Sequence, residues 1–249
     1  MRHELTRSTG VVVILDYDGT LTPIVASQGD ATLAPSVRNT LTRLLRGGRA
    51  RLAVVSGRAV ADIRGRVALP EAVYAGCHGL EIEGGGLRFR HPHVNAGALV
   101  KVRRRLATEV ASIPGAALEW KGLALSLHYR RVTASRRADV LKLATRVLRV
   151  APGLRIIPGH MVLDIVPNVR WDKGRAVQWI AHRLARTLPD GRALVFCAGD
   201  DVTDEAAFAA LRDRGVTVRV RGGPTAAEYA VRGVRDVHAL LRWLARAFA

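Results

Sequence analysis

Short apolar runs alternate with amphipathic segments in the first third of the chain. The first run, residues 11–15, precedes a helical pattern with Val37 and Leu41 on one face, and a second run follows at 52–55. A third apolar run begins at Val73, after another helical stretch. Strand, crossover helix and strand in succession predict a parallel sheet whose strands are buried on both faces.

Three consecutive glycines, residues 84–86, mark a change in this pattern. From there to about Gly159, polar and apolar positions alternate as they do in an antiparallel sheet. Two amphipathic helical segments, near 99–113 and 136–150, interrupt the alternation. This part of the chain therefore predicts an α+β domain.

The alternation of helices and strands returns after Pro167 and continues to the end of the sequence. Such a return is expected where one domain is inserted into a loop of another. We therefore predict an α/β fold in which residues 1–83 and 168–249 form a parallel-sheet core. Residues 84–167 form an inserted α+β domain.

Composition and charge limit the class of protein. The chain has 249 residues, 49% of them apolar, and no apolar run is long enough to span a membrane. Its formal net charge of +18 would suit a nucleic-acid partner, but the arginines are spread along helical faces, which favours a solvated surface. Cys77 and Cys197 lie in apolar stretches typical of buried thiols. We expect a soluble cytoplasmic protein without a membrane or nucleic-acid partner.

Two aspartates, Asp16 and Asp18, directly follow the first apolar run. Ligands bind outside the carboxyl ends of parallel strands, and adjacent carboxylates repel each other unless a cation or a phosphoryl-transfer role compensates them. The alternatives are a solvated turn or a calcium loop. A calcium loop needs a further acidic residue before its glycine, and Gly19 comes too early for one.

Three more groups occupy comparable positions. Ser56 ends the second strand and precedes Gly57, whose missing side chain lets a ligand approach the backbone, and Lys173 begins a predicted helix. Each of these alone is typical of an ordinary solvated loop or helix start. The acidic run 200–205 follows another predicted strand, and its mutual repulsion calls for a cation.

Magnesium prefers a few carboxylates together with water and substrate phosphate. We therefore predict a Mg²⁺ site formed by the side chains of Asp16 and Asp200 with the backbone carbonyl of Asp18.

These motifs together resemble a known superfamily. The strings Asp16-Tyr17-Asp18-Gly19-Thr20, Ser56, Lys173 and Gly199-Asp200-Asp201, in that order, are similar to the four motifs of the haloacid dehalogenase-like phosphatases. The longer strings at 16–25, 56–58, 78–81, 119–121, 128–130 and 200–205 resemble those of trehalose-6-phosphate phosphatases, and the resemblance covers almost the whole chain.

The resemblance implies a Rossmann-like core with a mobile cap and assigns roles to individual residues. Asp16 would be the nucleophile that forms an aspartyl-phosphate, and Asp18 would protonate the departing sugar oxygen and later activate water. Ser56 and Lys173 would stabilise the transferring phosphoryl group. Asp204 would orient the metal ligands beside Asp16, Asp18 and Asp200. The implied substrate contacts are Thr20, Gly57, Arg58, Glu119, Lys121, Arg130 and Asp164.

The cap residues present a difficulty of strand parity. A single strand through Gly122 would place Glu119 and Lys121 on one face, with His128 and Arg130 on the other. We therefore predict a bulge or bend at Gly122. His128 has two open interpretations, a hydrogen-bonded residue of the cap sheet or a functional group.

One position departs from the family pattern. Asp164 stands where the family usually has a glutamate, and its shorter side chain reaches less far toward a sugar hydroxyl.

The implied function is Mg²⁺-dependent hydrolysis of trehalose 6-phosphate by a free-standing monomeric enzyme, the last step of trehalose biosynthesis. Three alternatives remain open at this point. One is a related phosphatase acting on sucrose phosphate, mannosylglycerate phosphate or a hexose phosphate. The others are a nucleic-acid-binding protein and a non-catalytic binding module on the same fold.

Overall fold

The elements follow the predicted alternation closely. The computed structural model describes residues 8–25, 28–189 and 193–249. The strands in these ranges are β1 (Gly10–Leu15), β2 (Ala50–Val55), β3 (Val73–Gly76), β4 (Glu81–Gly84), β5 (Leu87–Arg90), β6 (Ala117–Trp120), β7 (Leu125–His128), β8 (Leu154–Gly159), β9 (Val162–Pro167), β10 (Ala193–Gly199), β11 (Val216–Val220) and β12 (Tyr229–Val231). The α-helices are α1 (Pro35–Arg46), α2 (Val60–Val67), α3 (Ala96–Ala111), α4 (Arg137–Arg149), α5 (Lys173–Ala185), α6 (Val202–Ala210) and α7 (Val234–Phe248).

A largely parallel sheet forms the core, as the sequence predicts. Within the described residues its strand order is β12-β11-β10-β1-β2-β3-β4-β5. Strand β1 is parallel to both of its neighbours, β10 and β2, and β4 is antiparallel to β3. All six residues of β1 are buried, which is the environment that an uninterrupted Val/Ile run prefers.

Helices cover both faces of this sheet, and the alternation along β1 assigns its side chains to the two layers. Val11 and Val13 pack into the layer that contains the apolar stripes of α1, α2 and α7. Val12 and Ile14 pack into the layer formed with α5 and α6. Each such side chain contributes roughly 1.5–3 kcal/mol on burial, so the loops after the central strands have a rigid base.

The inserted region forms a separate antiparallel sheet. Its order is β6-β7-β9-β8, and every neighbouring pair is antiparallel. Helices α3 and α4 pack through Leu99, Leu106 and Val140 against the sheet face that carries Leu125 and Leu127. This arrangement confirms the predicted α+β character of the insert.

The boundary of the insert differs from the predicted residue 84. Two compact units divide the chain, one ending at Phe89 and resuming at Trp171, the other comprising Arg90–Arg170. The glycines at 84–86 all have positive φ, and they turn the chain between β4 and β5, which both belong to the core sheet. A glycine run suits a tight hairpin turn as well as a linker between domains, and here it forms the turn.

Both cysteines are buried in the core unit. Burial raises the pKa of the Cys197 thiol far above its ordinary value, so this thiol stays protonated. Across the described ranges, every helix is too short or too polar to cross a bilayer.

Candidate active site

The loop after β1 brings Asp16 to the carboxyl edge of the core sheet. The Asp16 backbone N–H donates to the Ala198 carbonyl of β10, which continues the sheet pairing to this residue. The chain then folds back, and the Tyr17 carbonyl accepts from the backbone N–H of Leu21 at 3.0 Å. The Asp16 carboxylate is therefore held on a backbone that two neighbouring strands support.

Lys173 places an ammonium group between two carboxylates. The Asp172 side chain caps α5 by accepting from the Arg175 backbone N–H at 2.9 Å, which fixes the start of the helix. From the next residue, Lys173 Nζ lies 2.7 Å from Asp16 Oδ1 and 2.6 Å from Asp204 Oδ1. Burial by itself lowers the pKa of Lys173, but the charges of Asp16 and Asp204 raise it above its ordinary value. The ammonium group is therefore charged.

Three buried carboxylates, those of Asp16, Asp200 and Asp204, form a group that could hold a metal ion. Each offers an oxygen, and these oxygens lie within 4.8 Å of one another. Burial raises the pKa of Asp16 well above its ordinary value against the attraction of Lys173. Burial and the charge of Asp204 likewise raise the pKa of Asp200 to about 6. A cation among them would offset both effects.

The end of β10 and the start of α6 orient the carboxylates of this group. Asp200 directly follows β10, and Asp204 lies in the first turn of α6, where its carboxylate accepts from the Asp201 backbone N–H at 3.0 Å. The Asp201 side chain completes a capping box at the same helix start. Gly19 has φ +86°, and a Cβ there would lie 2.1 Å from an Asp200 carboxylate oxygen. The close approach of the two loops therefore requires glycine at this position.

The side chains of this site fit a hard divalent cation such as Mg²⁺. The donors are carboxylate oxygens, the type that Mg²⁺ prefers. Among the described residues, Asp200 Oδ1 is buried and has no hydrogen-bond partner, and a buried oxygen of this kind needs a compensating charge or donor.

Asp18 is paired with an arginine rather than with the carboxylate group. Arg58 donates from Nε to Asp18 Oδ2 at 2.6 Å and from a terminal nitrogen to Oδ1 at 2.7 Å. The same guanidinium donates to Asp62 at 2.9 Å. Burial alone raises the pKa of Asp62, but hydrogen bonds from Arg66 and Arg58 lower it below its ordinary value. Arg58, predicted as a substrate contact, thus orients Asp18 in this structure.

The predicted phosphate-binding residues lie on the neighbouring loops. Ser56 is buried directly after β2, and its Oγ accepts from the Arg58 backbone N–H at 3.2 Å, with Gly57 between them. Thr20 is also buried, and its Oγ1 has no hydrogen-bond partner within the described part of the chain. Because β10, β1 and β2 are adjacent in the sheet, these loops share one edge with Asp16.

Sequence reasoning missed Arg221. This residue follows β11, and its guanidinium lies 2.5 Å from Asp200 Oδ2. The backbone of Arg221 has φ +69°, in the left-handed region that favours glycine. The available signal was its place directly after an apolar strand, the same signal that identified Asp16 and Asp200.

In the cap unit, the chain reverses direction at Gly122, which confirms the predicted irregularity there and shows that it is a hairpin turn. Gly122 has φ +79°, and β6 and β7 pair as a hairpin with Glu119 opposite Ser126. Residues directly opposite each other in an antiparallel pair point to the same face. The parity difficulty disappears because Glu119 and His128 lie on different strands of one hairpin.

This hairpin brings several predicted cap residues together on the sheet face opposite α3 and α4. His128 Nε2 lies 2.8 Å from Glu119 Oε2, and Lys121 Nζ lies 3.7 Å from the same oxygen. Lys121 Nζ is also 3.5 Å from Asp164 Oδ1, which accepts a hydrogen bond from the Ser126 hydroxyl. We call Glu119, Lys121, Ser126, His128 and Asp164 the cap polar cluster. Asp164 is held by its neighbours despite its short side chain.

Arg130 contacts His160, which also belongs to the cap unit. Its guanidinium donates to the His160 carbonyl at 3.1 Å and lies 3.3 Å from His160 Nδ1. His160 was not among the predicted residues.

A parallel α/β core with an inserted cap and carboxylates at its strand ends is the organisation expected of a haloacid dehalogenase-like phosphatase. Residues 14–234 match the family model described as trehalose-phosphatase. The chain therefore belongs to the trehalose-phosphatase family.

The chain is similar to a plant trehalose-phosphate phosphatase and to one segment of a longer mycobacterial protein. A probable trehalose-phosphate phosphatase I of Arabidopsis thaliana is 33% identical over 257 residues, covering 97% of this chain and 69% of the plant protein. An uncharacterized glycosyl hydrolase of Mycobacterium tuberculosis is 40% identical over 217 residues, which cover 84% of this chain. The match spans only 16% of that mycobacterial protein.

A solved structure supports the fold. The C-terminal domain of trehalose-6-phosphate phosphatase from C. albicans superimposes with a TM-score of 0.82, covering 98% of this chain and 94% of that domain at 22% identity.

Proposed function

We propose that this protein is a Mg²⁺-dependent phosphatase that hydrolyses trehalose 6-phosphate to trehalose and inorganic phosphate. The observation that carries the proposal is the position of Asp16, at the end of the central strand and in contact with Lys173 inside the buried carboxylate group. Membership in the trehalose-phosphatase family and the names of the relatives support the choice of substrate.

Asp16 and Asp200 would hold the Mg²⁺ through their side chains, with the Asp18 carbonyl as a further ligand and Asp204 as an orienting neighbour. The partnerless Oδ1 of Asp200 supports this assignment. When bound, the ion neutralises charge on the transferring phosphoryl oxygens and on the carboxylates. Lys173 contributes a fixed positive charge to the same group.

Asp16 is the proposed nucleophile. Its carboxylate attacks phosphorus, the bond between phosphorus and the sugar oxygen breaks, and an aspartyl-phosphate forms. Asp18 supplies a proton to the departing sugar oxygen and then accepts one from the water that hydrolyses the aspartyl-phosphate. Burial raises the pKa of Asp16, and Lys173 acts in the opposite direction by favouring the ionised carboxylate.

The phosphate is bound by groups on the loops after β1 and β2. The Thr20 hydroxyl is buried without a partner among the described residues, and a phosphate oxygen would satisfy it. Ser56 Oγ and the backbone at Gly57 provide further donors, and the Lys173 ammonium provides charge. Arg58 orients Asp18 through the two hydrogen bonds it donates.

Sugar selection is the proposed role of the cap polar cluster. Carboxylates and an ammonium group held together by mutual contacts are suited to hydrogen-bonding several hydroxyl groups of a disaccharide. Glu119, Lys121 and Asp164 are the proposed sugar contacts, and Arg130 is a further one. His128 would position Glu119, from which it lies 2.8 Å.

A panel of phosphate-release assays tests the proposal. Trehalose 6-phosphate should be the preferred substrate over sucrose 6-phosphate, mannosylglycerate phosphate and glucose 6-phosphate, and chelation of Mg²⁺ should abolish turnover. Asp16→Asn should remove activity and leave the circular dichroism spectrum unchanged. Equal activity on all four esters would reject the substrate, and activity in Asp16→Asn would reject the mechanism.

A further inference from the structure

Each carboxylate of the proposed metal site already has a cationic partner within the protein. Lys173 contacts both Asp16 and Asp204, and Arg221 contacts Asp200. Two positive charges thus compensate three carboxylates, and this explains how the group tolerates its own repulsion when no metal is bound.

The Lys173 and Arg221 side chains differ in how easily they can move away from the carboxylates. The Lys173 side chain is 4% exposed, and its ammonium group bridges two carboxylates. The Arg221 side chain is 50% exposed, and it forms an ion pair with Asp200 Oδ2. An exposed guanidinium regains hydration and rotamer freedom when it moves into water, so its displacement costs little.

Asp200 presents its two oxygens to different environments. Oδ2 accepts from Arg221 at 2.5 Å, whereas Oδ1 is buried and partnerless within the described residues. A divalent cation bound at this carboxylate would therefore come close to the Arg221 guanidinium. Like charges at such short range repel each other even when solvent screens them.

We propose that Arg221 is a built-in counter-ion that neutralises Asp200 in the metal-free protein and competes with Mg²⁺ for that carboxylate. This inference rests on the proposed function, because it needs Asp200 to be a metal ligand. Arg221 gives up its contact with Asp200 and turns into solvent as the metal binds. Arg221 thus lowers the affinity of the site for Mg²⁺ and stabilises the empty site.

Calorimetric titration of metal-free protein with Mg²⁺ tests the inference. Arg221→Gln should bind Mg²⁺ roughly three- to tenfold more tightly than the wild type, the gain expected from removing one exposed ion pair and one nearby like charge. Arg221→Lys keeps the charge and should remain close to the wild type. Arg212→Gln removes an exposed positive charge near the start of β10, at the opposite end of that strand from Asp200, and serves as the matched control.

Thermal unfolding provides a second measurement that a purely structural role would not produce. Arg221→Gln should melt at a lower temperature than the wild type without metal, and saturating Mg²⁺ should raise its melting temperature by a larger increment. If Arg221→Gln does not fold, Arg221→Gly replaces it, because glycine accepts φ +69° without strain.

The outcomes separate this inference from the proposed function. Mg²⁺ binding by the wild type with equal or weaker binding by Arg221→Gln or Arg221→Gly would overturn the role of Arg221 alone. Absence of Mg²⁺ binding by the wild type would overturn the metal part of the proposed function, and this inference with it. Equally tight binding by Arg221→Lys and Arg221→Gln would exclude competition by charge.

Discussion

Replacing Lys173 by methionine keeps a flexible side chain of similar length and removes its charge. The lost ammonium group lies 2.7 Å from Asp16 Oδ1 and 2.6 Å from Asp204 Oδ1, and the exposure of all three side chains is below a tenth. Removing one partner of a buried ion pair costs about 3–5 kcal/mol, because the remaining charge is left without compensation. For a protein of this size, the loss corresponds to a fall in Tm of about 6–20 °C.

The loss of unfolding free energy in Lys173→Met, relative to the wild type, should become smaller as the pH falls. Burial already raises the pKa of Asp16 well above its ordinary value, with Lys173 acting in the opposite direction, and Asp200 titrates at about 6. In the unfolded chain these aspartates have the ordinary pKa near 4, whereas in the folded variant, which lacks the ammonium group, their pKa values are raised. Between the two pKa values the folded state therefore binds more protons than the unfolded chain. The free energy of unfolding of the variant, relative to the wild type, should therefore increase as the pH falls from about 8 to about 5.

Urea unfolding of metal-free protein, followed by circular dichroism at both pH values, measures this effect. Lys142→Met removes an exposed lysine from α4 and should change the free energy of unfolding by less than about 0.5 kcal/mol. Added Mg²⁺ should recover part of the stability of Lys173→Met. A deficit below about 1 kcal/mol at pH 8, or an equal deficit at both pH values, would refute the assignment of Lys173 as the compensating charge.

Three further experiments test other parts of the site. Gly19→Ala should weaken Mg²⁺ binding at least about tenfold by calorimetry, because its Cβ would lie 2.1 Å from an Asp200 oxygen. The control is Gly86→Ala, which is also at positive φ but has open space around it. Glu119→Gln should raise KM for trehalose 6-phosphate about tenfold and change kcat little, since it alters a proposed sugar contact; an unchanged KM would remove Glu119 from that role. Mg²⁺ affinity should fall as the pH drops through about 6, where Asp200 gains a proton, and constant affinity from about pH 8 to 5 would contradict metal binding by this carboxylate.

The core strands and the carboxylate loops could be predicted from the sequence because each depends on a short stretch of residues. An uninterrupted Val/Ile run has one favourable environment, the middle of a sheet covered on both faces, and β1 occupies it. Polar residues directly after such strands collect at one edge when the strands are parallel. Asp16, Ser56 and Asp200 could therefore be predicted to lie on neighbouring loops.

The glycines were informative about position but not about conformation. Gly122 and residues 84–86 were recognised as irregular, yet a positive φ serves a bulge, a linker or a tight turn equally well. In both places the chain forms a hairpin. The choice depends on which strand is available for pairing, and that is a property of the assembled sheet.

The α/β core, the inserted α+β unit and the residue types of the candidate site follow from the amino-acid sequence alone, because hydrophobic periodicity and strand-end carboxylates are encoded over short stretches. Which charged side chains pair with each other depends on the folded structure. Arg58 pairs with Asp18 across 40 residues and Arg221 with Asp200 across 21, since the order of strands in the sheet brings their loops together. Charge pairing in a folded chain depends on distance in space, and that distance is set by packing rather than by position along the sequence.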